Sequence, residues 1–445
     1  MRVNEKAQAV VTRLQGAGFE AYLVGGCVRD LLIGREPKDY DIVTSAVPDQ
    51  VAELFPDHYV AGKQFGVVGV REHGEVFEVA TFRQDHGYSD RRRPDTVSWT
   101  DAIGDVMRRD FTVNGILYDP NADRVVDHVD GVRDLEIRVL RCIGNPVDRV
   151  REDPLRILRA VRLKNSLEFQ YDKTTFDAVK THASELKHVA AERIGDELTR
   201  MLGQPSRHAA IRDLDRLGIL AVVLPEIEAL KGTPQPLEFH REGDVYDHTL
   251  RALAALTKDA PAFLAWATLF HDAGKPETLS YPTDHGRISS YKHSERSAEL
   301  ATATLRRLRR SRTEITTVDW LIRHHMRLMH IEAMRPSRRE AYVLDHRFPW
   351  LLELHRVDAE GTEPKDLSLY THNMNLYERM RARQQEAQQS RPALLVDGHD
   401  LQHALGLLPG KQIGELLEEI RDAQLHGVLT TREEAIDFAR RKIGA

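Results

Sequence analysis

Apolar residues in the first third of the chain gather into short β-rich runs: Tyr22 to Val24, Ile42-Val43, Phe65 to Val70, Val76 to Phe82 and Val113 to Tyr118. Runs of this length alternating with helical stretches predict a small α/β head over residues 1–145. From Val150 onward the strands stop and amphipathic helical patterns run almost to the end. Gly203-Gln204-Pro205 and the group Pro225, Gly232, Pro234 and Pro236 punctuate them. These breaks divide the remainder into a helical domain at 146–235, another at 236–365 and a helical tail at 366–445, after the polar turn Glu360-Gly361-Thr362-Glu363-Pro364. The expected fold class is an α/β head with a small mixed sheet, followed by an elongated all-α body and tail.

At 445 residues the chain is too long for one ordinary core, so two to four domains are expected. A composition of 41% hydrophobic, 30% charged and 7% aromatic residues is that of a globular protein in water. No apolar run is long enough to span a bilayer, and Met1 to Lys6 leads into a polar helical pattern without an apolar signal core. A cytoplasmic protein with no membrane partner is the expectation. Cys27 and Cys142 are the only cysteines, too few for a disulfide framework, and Cys27 is read as packing behind a glycine turn. The net charge of -6 excludes a uniformly basic nucleic-acid binder. Any RNA contact must come from local patches: Arg91-Arg92-Arg93, the arginines from Arg149 to Arg162, and Arg306 to Arg312. For each patch taken alone, a solvated helix face or loop is the commoner explanation.

Two stretches carry chemistry. Gly25-Gly26-Cys27-Val28-Arg29-Asp30 is followed by Asp39-Tyr40-Asp41. Paired glycines let backbone amides approach a triphosphate, and carboxylates at i and i+2 on a strand point to one side, where they can share Mg²⁺. Ions held this way activate an attacking 3′-hydroxyl and neutralise the leaving pyrophosphate. The second stretch, Glu152 to Arg162, begins like an ordinary helix, with Asp153 as a possible N-cap before Pro154. A cap does not account for Arg156, Arg159 and Arg162, which repeat every three residues beside Leu155, Leu158 and Val161. A cationic stripe beside an apolar one suits the wall of a nucleotide cleft.

With Glu78-Val79-Ala80-Thr81-Phe82-Arg83, Arg108-Arg109-Asp110-Phe111-Thr112-Val113-Asn114 and Glu152-Asp153-Pro154-Leu155-Arg156 in this order, the chain resembles the polymerase-beta-type nucleotidyltransferases. Within them it is similar to the bacterial class II tRNA nucleotidyltransferases, which build the CCA end of tRNA. The resemblance implies Asp39 and Asp41 as catalytic Mg²⁺ ligands with Glu78 as a third acidic group. It implies Gly26, Arg29 and Arg109 at the triphosphate, Asp110 at the sugar with Asn114 in support, and Arg159 and Arg162 at phosphates. Arg108 to Asp110 are otherwise explained as an ion-paired helix-to-strand junction. Asp153 and Arg156 would read the base edge, one accepting and one donating. Cytosine and adenine both offer an amine beside a ring-nitrogen acceptor, whereas uracil and guanine present N–H there, so one fixed pair selects C and A. Gly62-Lys63-Gln64-Phe65-Gly66 matches a short family turn, and Gln84 to Pro94 its mobile loop, with Arg91 where glycine is common. The full length of that loop favours adding the terminal A. Glu192-Arg193 with Glu197-Leu198 resembles a family element read as structural, and the tail resembles a domain that grips the tRNA elbow. His399-Asp400 there is read as a helix cap, outside any metal site.

A second resemblance lies downstream. His248, His271-Asp272, His293, His324-His325 and Asp358 occur in the order of the HD phosphohydrolases. It implies His248, His271, Asp272 and Asp358 as ligands, His293 and His324 completing a second site, and a divalent ion such as Mn²⁺, Ni²⁺ or Mg²⁺. The whole predicts template-independent addition of CMP and AMP to tRNA from CTP and ATP, with no DNA partner, by a monomer or homodimer. The alternatives are a CC-only or A-only adder, a poly(A) polymerase, which tends to carry Gly-Arg-Arg-Phe at Gly62 to Phe65, an HD hydrolase with an inert head, and a non-catalytic tRNA-binding factor.

Overall fold

A computed structural model describes all residues except 63–65, 88–94, 239, 282–287, 390–393, 426 and 444–445. Helix α1 (Glu5–Gly16) is capped by Asn4, whose side chain accepts from the amides of Lys6 and Ala7. Its Val10, Val11 and Leu14 are buried. The strands that follow are β1 (Ala21–Val24), β2 (Asp41–Thr44), β3 (His58–Gly62), β4 (Val67–Glu72), β5 (Glu75–Thr81), β6 (Arg83–His86), β7 (Thr96–Trp99), β8 (Leu117–Asp119) and β9 (Arg124–Val126). Seven of them form one sheet in the order β3-β4-β5-β2-β1-β8-β9, while β6 and β7 make a separate hairpin. Within the sheet β2 and β5 run parallel and the other neighbours antiparallel, a mixed sheet as expected.

Val113 does not start a strand. Thr112–Asn114 forms a 3₁₀ turn, because the Asp110 carboxylate accepts from the Phe111 amide and the Asn114 side chain, and β8 begins only at Leu117. Around the sheet lie α2 (Gly26–Leu32), α3 (Pro48–Leu54), α4 (Ala102–Met107) and α5 (Gly131–Glu136). The neck begins with α6 (Pro146–Glu152), α7 (Leu155–Leu167), α8 (Lys173–Thr181) and α9 (Ala191–Leu202). After β9 the described strands are two-residue pairs only, Val139–Leu140 with Gln170–Tyr171 and Leu279–Ser280 with Ser289–Ser290. Leu155, Leu158 and Val161 of α7 are buried, the face the sequence assigns to the core.

The chain divides into two compact units, Met1–His330 with Pro349–Leu367, and Ile331–Phe348 with Ser368–Ala445. In the second, Val396, Leu401, Ile413, Leu416, Ile420, Leu429, Ala435 and Ala439 form a small core. Its helix Gly398–Leu405 is capped by Asp397, and Asp400 returns the bond to the Asp397 amide, a reciprocal capping box. Of the expected RNA patches, Arg307 is bound to Glu226 and Arg310 to Asp196, and Arg91 to Arg93 lie outside the described residues. No helix among the described residues is long and apolar enough to cross a membrane.

Candidate nucleotide cleft and metal cluster

The glycine pair closes directly over an acidic strand. Gly25 holds φ +81°, and a Cβ there would stand 3.3 Å from Asp41 Oδ2 and 3.7 Å from an Arg109 amino nitrogen. Any other residue would be strained there and would crowd the Asp41 carboxylate. Asp41 is the first residue of β2, and the parallel register places Glu78 of β5 beside it. Asp39 precedes the strand by two residues, so the pair does not sit on one strand as its spacing suggests; the strand starts only at Asp41. The Asp39 charge is nevertheless felt at Asp41. Burial raises the pKa of Asp41, Asp39 and Glu78 raise it further, and Arg109 opposes them. The charges of Asp39 and Glu78 are thus felt at Asp41, although the three carboxylates do not converge into one of the compact ligand groups among the described residues.

Beside these acids stand arginines braced by carboxylates. Asp105, wholly buried, accepts from Arg108 at 2.6 Å through Oδ1 and from Arg109 at 2.9 Å through Oδ2. Arg83 bonds Asp85 at 3.0 Å, and its carbonyl accepts from Arg108. Arg29 donates to Asn114 Oδ1 at 2.8 Å, and Asn114 donates in turn to Asp110. Buried Asp110 is also 2.5 Å from Arg159, whose charge outweighs burial and lowers the carboxyl's pKa. These pairs make Arg108 to Asp110 an ion-paired junction and at the same time present them to a cleft.

That cleft, of about 340 Å³, is lined by the glycine pair, Asp41, Arg109, Asp110, Asp153, Arg156 and Arg159 among others. Asp153 is the C-cap of α6 and accepts from the Leu155 amide at 3.1 Å, while the N-cap position of α7 falls one residue later, at Pro154. Both Asp153 oxygens are further held by Arg193 of α9, at 3.1 and 2.8 Å. Arg156 is 9% exposed and donates to Glu152 and to the carbonyl of Arg149, each at 2.7 Å. Arg162 turns away from the cleft to buried Glu197 at 2.6 Å, so one member of the arginine stripe is a tie between α7 and α9. Arg193 and Asp105, which hold cleft residues from behind, had no role at the cleft assigned from the sequence. The only cue for Arg193 was the Glu-Arg element itself, and Asp105 carried none. The turn residues Lys63 to Phe65 and the loop end Asp90 to Pro94 lie outside the described residues.

The histidines form a separate cluster in the same unit. His248 comes from helix Val245–Ala255, His271 follows helix Ala262–Phe270, His293 opens helix His293–Arg307 and Asp358 lies in helix Phe348–Gly361. His248 Nε2 is 3.0 Å from Asp358 and 3.3 Å from His271 Nε2. The two oxygens of Asp272 face His271 at 3.2 Å and His293 at 3.4 Å. The sixth member is His325, not His324: His293 Nε2 lies 3.3 Å from His325 Nε2. His324 instead stacks on Trp320 at 4.4 Å and bonds its carbonyl, because neighbours on a helix point about 100° apart. Glu242, unremarked in the sequence, accepts between His240 and His248, and their bonds outweigh burial to bring its pKa to about 2. Burial opposes a charge on His271, but Asp272 and Asp358 push its pKa up to about 10, while burial drives His325 down to about 3. Among the described residues, the compact groups able to hold an ion are all in this region: His240, Glu242 and His248; His248, His271 and Asp358; and Asp272, His293 and His325.

With both sites described, three family profiles match in chain order. The Poly A polymerase head domain covers residues 21–141, a "Probable RNA and SrmB- binding site of polymerase A" covers 168–231, and tRNA nucleotidyltransferase domain 2 covers 288–439. The A-adding tRNA nucleotidyltransferase of Deinococcus radiodurans is 34% identical over 433 residues, 95% of either chain. This chain belongs to the tRNA nucleotidyltransferase family. The CCA-adding enzyme of Lactobacillus helveticus is 44% identical over 206 residues, 46% of this chain and 51% of that protein. The chain thus spans about half the length of the first curated relatives it matches. The crystal structure of the Bacillus stearothermophilus CCA-adding enzyme in complex with CTP superposes with a TM-score of 0.63 at 26% identity, covering 99% of this chain and 98% of that one. The α/β head followed by a helical body is the architecture of this tRNA nucleotidyltransferase family.

Proposed function

We propose that this tRNA nucleotidyltransferase adds CMP and AMP to the 3′ end of tRNA without a nucleic-acid template, completing or repairing CCA. The observation carrying the reading is one cleft lined together by the glycine pair, Asp41, Asp153 and Arg156. Asp39 and Asp41, with Glu78 beside them, would hold Mg²⁺, which when bound neutralises the triphosphate and acidifies the primer hydroxyl. Arg109, braced by Asp105, is aimed at triphosphate oxygens, and the backbone at Gly25 and Gly26 can approach them closely. Arg29 and Asn114 support Asp110, which accepts from the sugar. Arg159, 2.5 Å from Asp110, would add a second phosphate contact. Asp153, its plane fixed by Arg193, accepts the exocyclic amine of C or A, and Arg156 donates to the adjacent ring nitrogen.

One assay tests this. The protein is incubated with tRNAs lacking CCA, lacking only the terminal A, or complete, with CTP and ATP separately and together. Complete addition to the first two and none to the third is expected. Addition confined to the second substrate would make the protein an A-only adder, an outcome given weight by the A-adding relative. Untemplated extension of complete tRNA by ATP alone would point to a poly(A) polymerase.

The histidine cluster favours a second activity. Four imidazoles and two carboxylates converging at 3.0 to 3.5 Å are a donor set for Mn²⁺, Ni²⁺ or Mg²⁺. His248, His271, Asp272 and Asp358 would hold one ion, and Asp272 with His293 and His325 a second. The chemistry supplied is a metal-activated water aimed at phosphorus, as in a phosphohydrolase. Failure of the metal-loaded protein to hydrolyse 2′,3′-cyclic nucleotides or simple phosphate esters would remove this activity and leave nucleotide addition untouched.

A further inference from the structure

The β6–β7 hairpin carries a large aromatic residue that nucleotide binding leaves unused. Trp99 stands directly opposite Arg83 in the hairpin register, and opposed residues on antiparallel strands put their side chains on the same face. Arg83 lines the cleft, and the register puts Trp99 on the same face of the hairpin, next to a lining residue but outside the lining itself. The indole is held in place: a Cβ on Gly66, at φ +76°, would lie 2.7 Å from the ring. The Gly66 carbonyl in turn accepts from the amide of Thr81, the last residue of β5, the strand that carries Glu78. One side of the ring therefore rests on backbone that is itself tied to the catalytic sheet. Trp99 remains 46% exposed, whereas Trp266 of the same chain is fully buried. Ile103 and Met107 on α4, the helix that follows the hairpin, are also exposed, at 48% and 45%. A positioned aromatic face beside a cation-lined groove is how single-stranded nucleic acid is bound without sequence preference.

We propose that Trp99 is the platform on which the 3′-terminal base of the RNA primer stacks while its hydroxyl enters the cleft. The proposal rests on the reading of the protein as a tRNA nucleotidyltransferase. Its chemical reason is that a strand extended more than once presents a different last base at each step. A hydrogen-bonding pocket built for one of those bases would reject the next, whereas every base offers a π face. The incoming nucleotide needs the opposite treatment, and its base is read in the cleft by Asp153 and Arg156. Arg83, on the same hairpin face as Trp99, suits the phosphate that precedes the stacked base.

The test uses the full chain and a tRNA minihelix ending at the base before CCA, with binding measured in the absence of nucleotide by fluorescence anisotropy of a 5′-labelled RNA. Trp99→Ala is expected to weaken minihelix binding roughly 5- to 100-fold, the range of one base–aromatic stack. Trp99→Phe should hold within about threefold of the parent, because a phenyl ring keeps the π face. The KM for CTP should move by less than about twofold in either variant. Unchanged minihelix binding by Trp99→Ala overturns the proposal, as does an equal loss in Trp99→Phe, or a loss of CTP affinity in place of RNA affinity. A parent protein that binds the minihelix through Trp99 but adds no nucleotide sinks the transferase reading alone. A parent that adds nucleotides while Trp99→Ala keeps its minihelix KM sinks the platform alone.

Discussion

Asp105 shows how one side chain can organise a site that it does not face. Fully buried, it divides its oxygens between Arg108 and Arg109, so the two cations at the cleft edge are held by one carboxylate. Burial alone would raise its pKa, but the guanidiniums outweigh burial and the folded value is lowered. A lowered folded pKa means that the group contributes stability above the ordinary carboxylate value, near pH 4, and loses it as pH falls through the folded value. Asp105→Asn is therefore expected to cost about 3 to 5 kcal/mol at pH 7, the range for breaking a buried ion pair. Urea denaturation of parent and variant should show that gap shrinking below about pH 4; a gap that is constant with pH contradicts the assignment. The two cysteines make a second residue-scale case. Burial pushes the thiols of Cys27 and Cys142 up to about 12. Thiol titration near pH 8 should find neither in the native protein and both after unfolding.

At the scale of elements, the proposed base selection would depend on how α7 is held against α9. Arg193 of α9 grips Asp153 just before α7, and Arg162 of α7 grips Glu197 of α9, so charge pairs tie the helices at two levels. Buried Leu158 and Leu198 belong to these same two helices. Asp153→Ala should reduce the preference for CTP and ATP over UTP and GTP, by roughly 10- to 100-fold for the loss of a hydrogen bond with a charged partner. Arg193→Ala should move selectivity in the same direction by less, since it leaves the carboxylate present but free to rotate. Primer extension with each of the four nucleotides measures both. Selectivity unchanged in Asp153→Ala would refute the role of that carboxylate as the template's substitute.

At the scale of the molecule, His248 and Asp358 stand 110 positions apart yet lie 3.0 Å from one another, so the histidine cluster exists only when several helices close together. An ion that binds the folded cluster and not the unfolded chain must stabilise the fold, by about 2.7 kcal/mol at a hundred times its dissociation constant. Mn²⁺ or Ni²⁺ should raise the unfolding temperature of the full chain, and EDTA should reverse the rise. His325→Ala should diminish the shift while His324→Ala preserves it. The reverse pattern would place the ligand on the neighbouring residue after all.

The sequence alone determined the kinds of groups and their order: glycines before acids, an arginine stripe at helical spacing beside buried Leu155, Leu158 and Val161, and a run of histidines and aspartates. Local physics sets these, because backbone freedom, side-chain period and ligand chemistry are properties of a few adjacent residues. Tertiary structure decided which member of each set faces the site. It placed Asp39 ahead of the strand instead of on it, turned Arg162 toward Glu197, chose His325 over His324 and brought Asp105, Arg193 and Glu242 in as supports. The choices of Arg162, Arg193 and His325 depend on contacts 32 to 40 positions apart, whereas Asp105 and Glu242 meet partners two to six positions away, and only burial in the fold makes those pairs matter. A carboxylate buried under two arginines reads, in one dimension, like any aspartate on a helix.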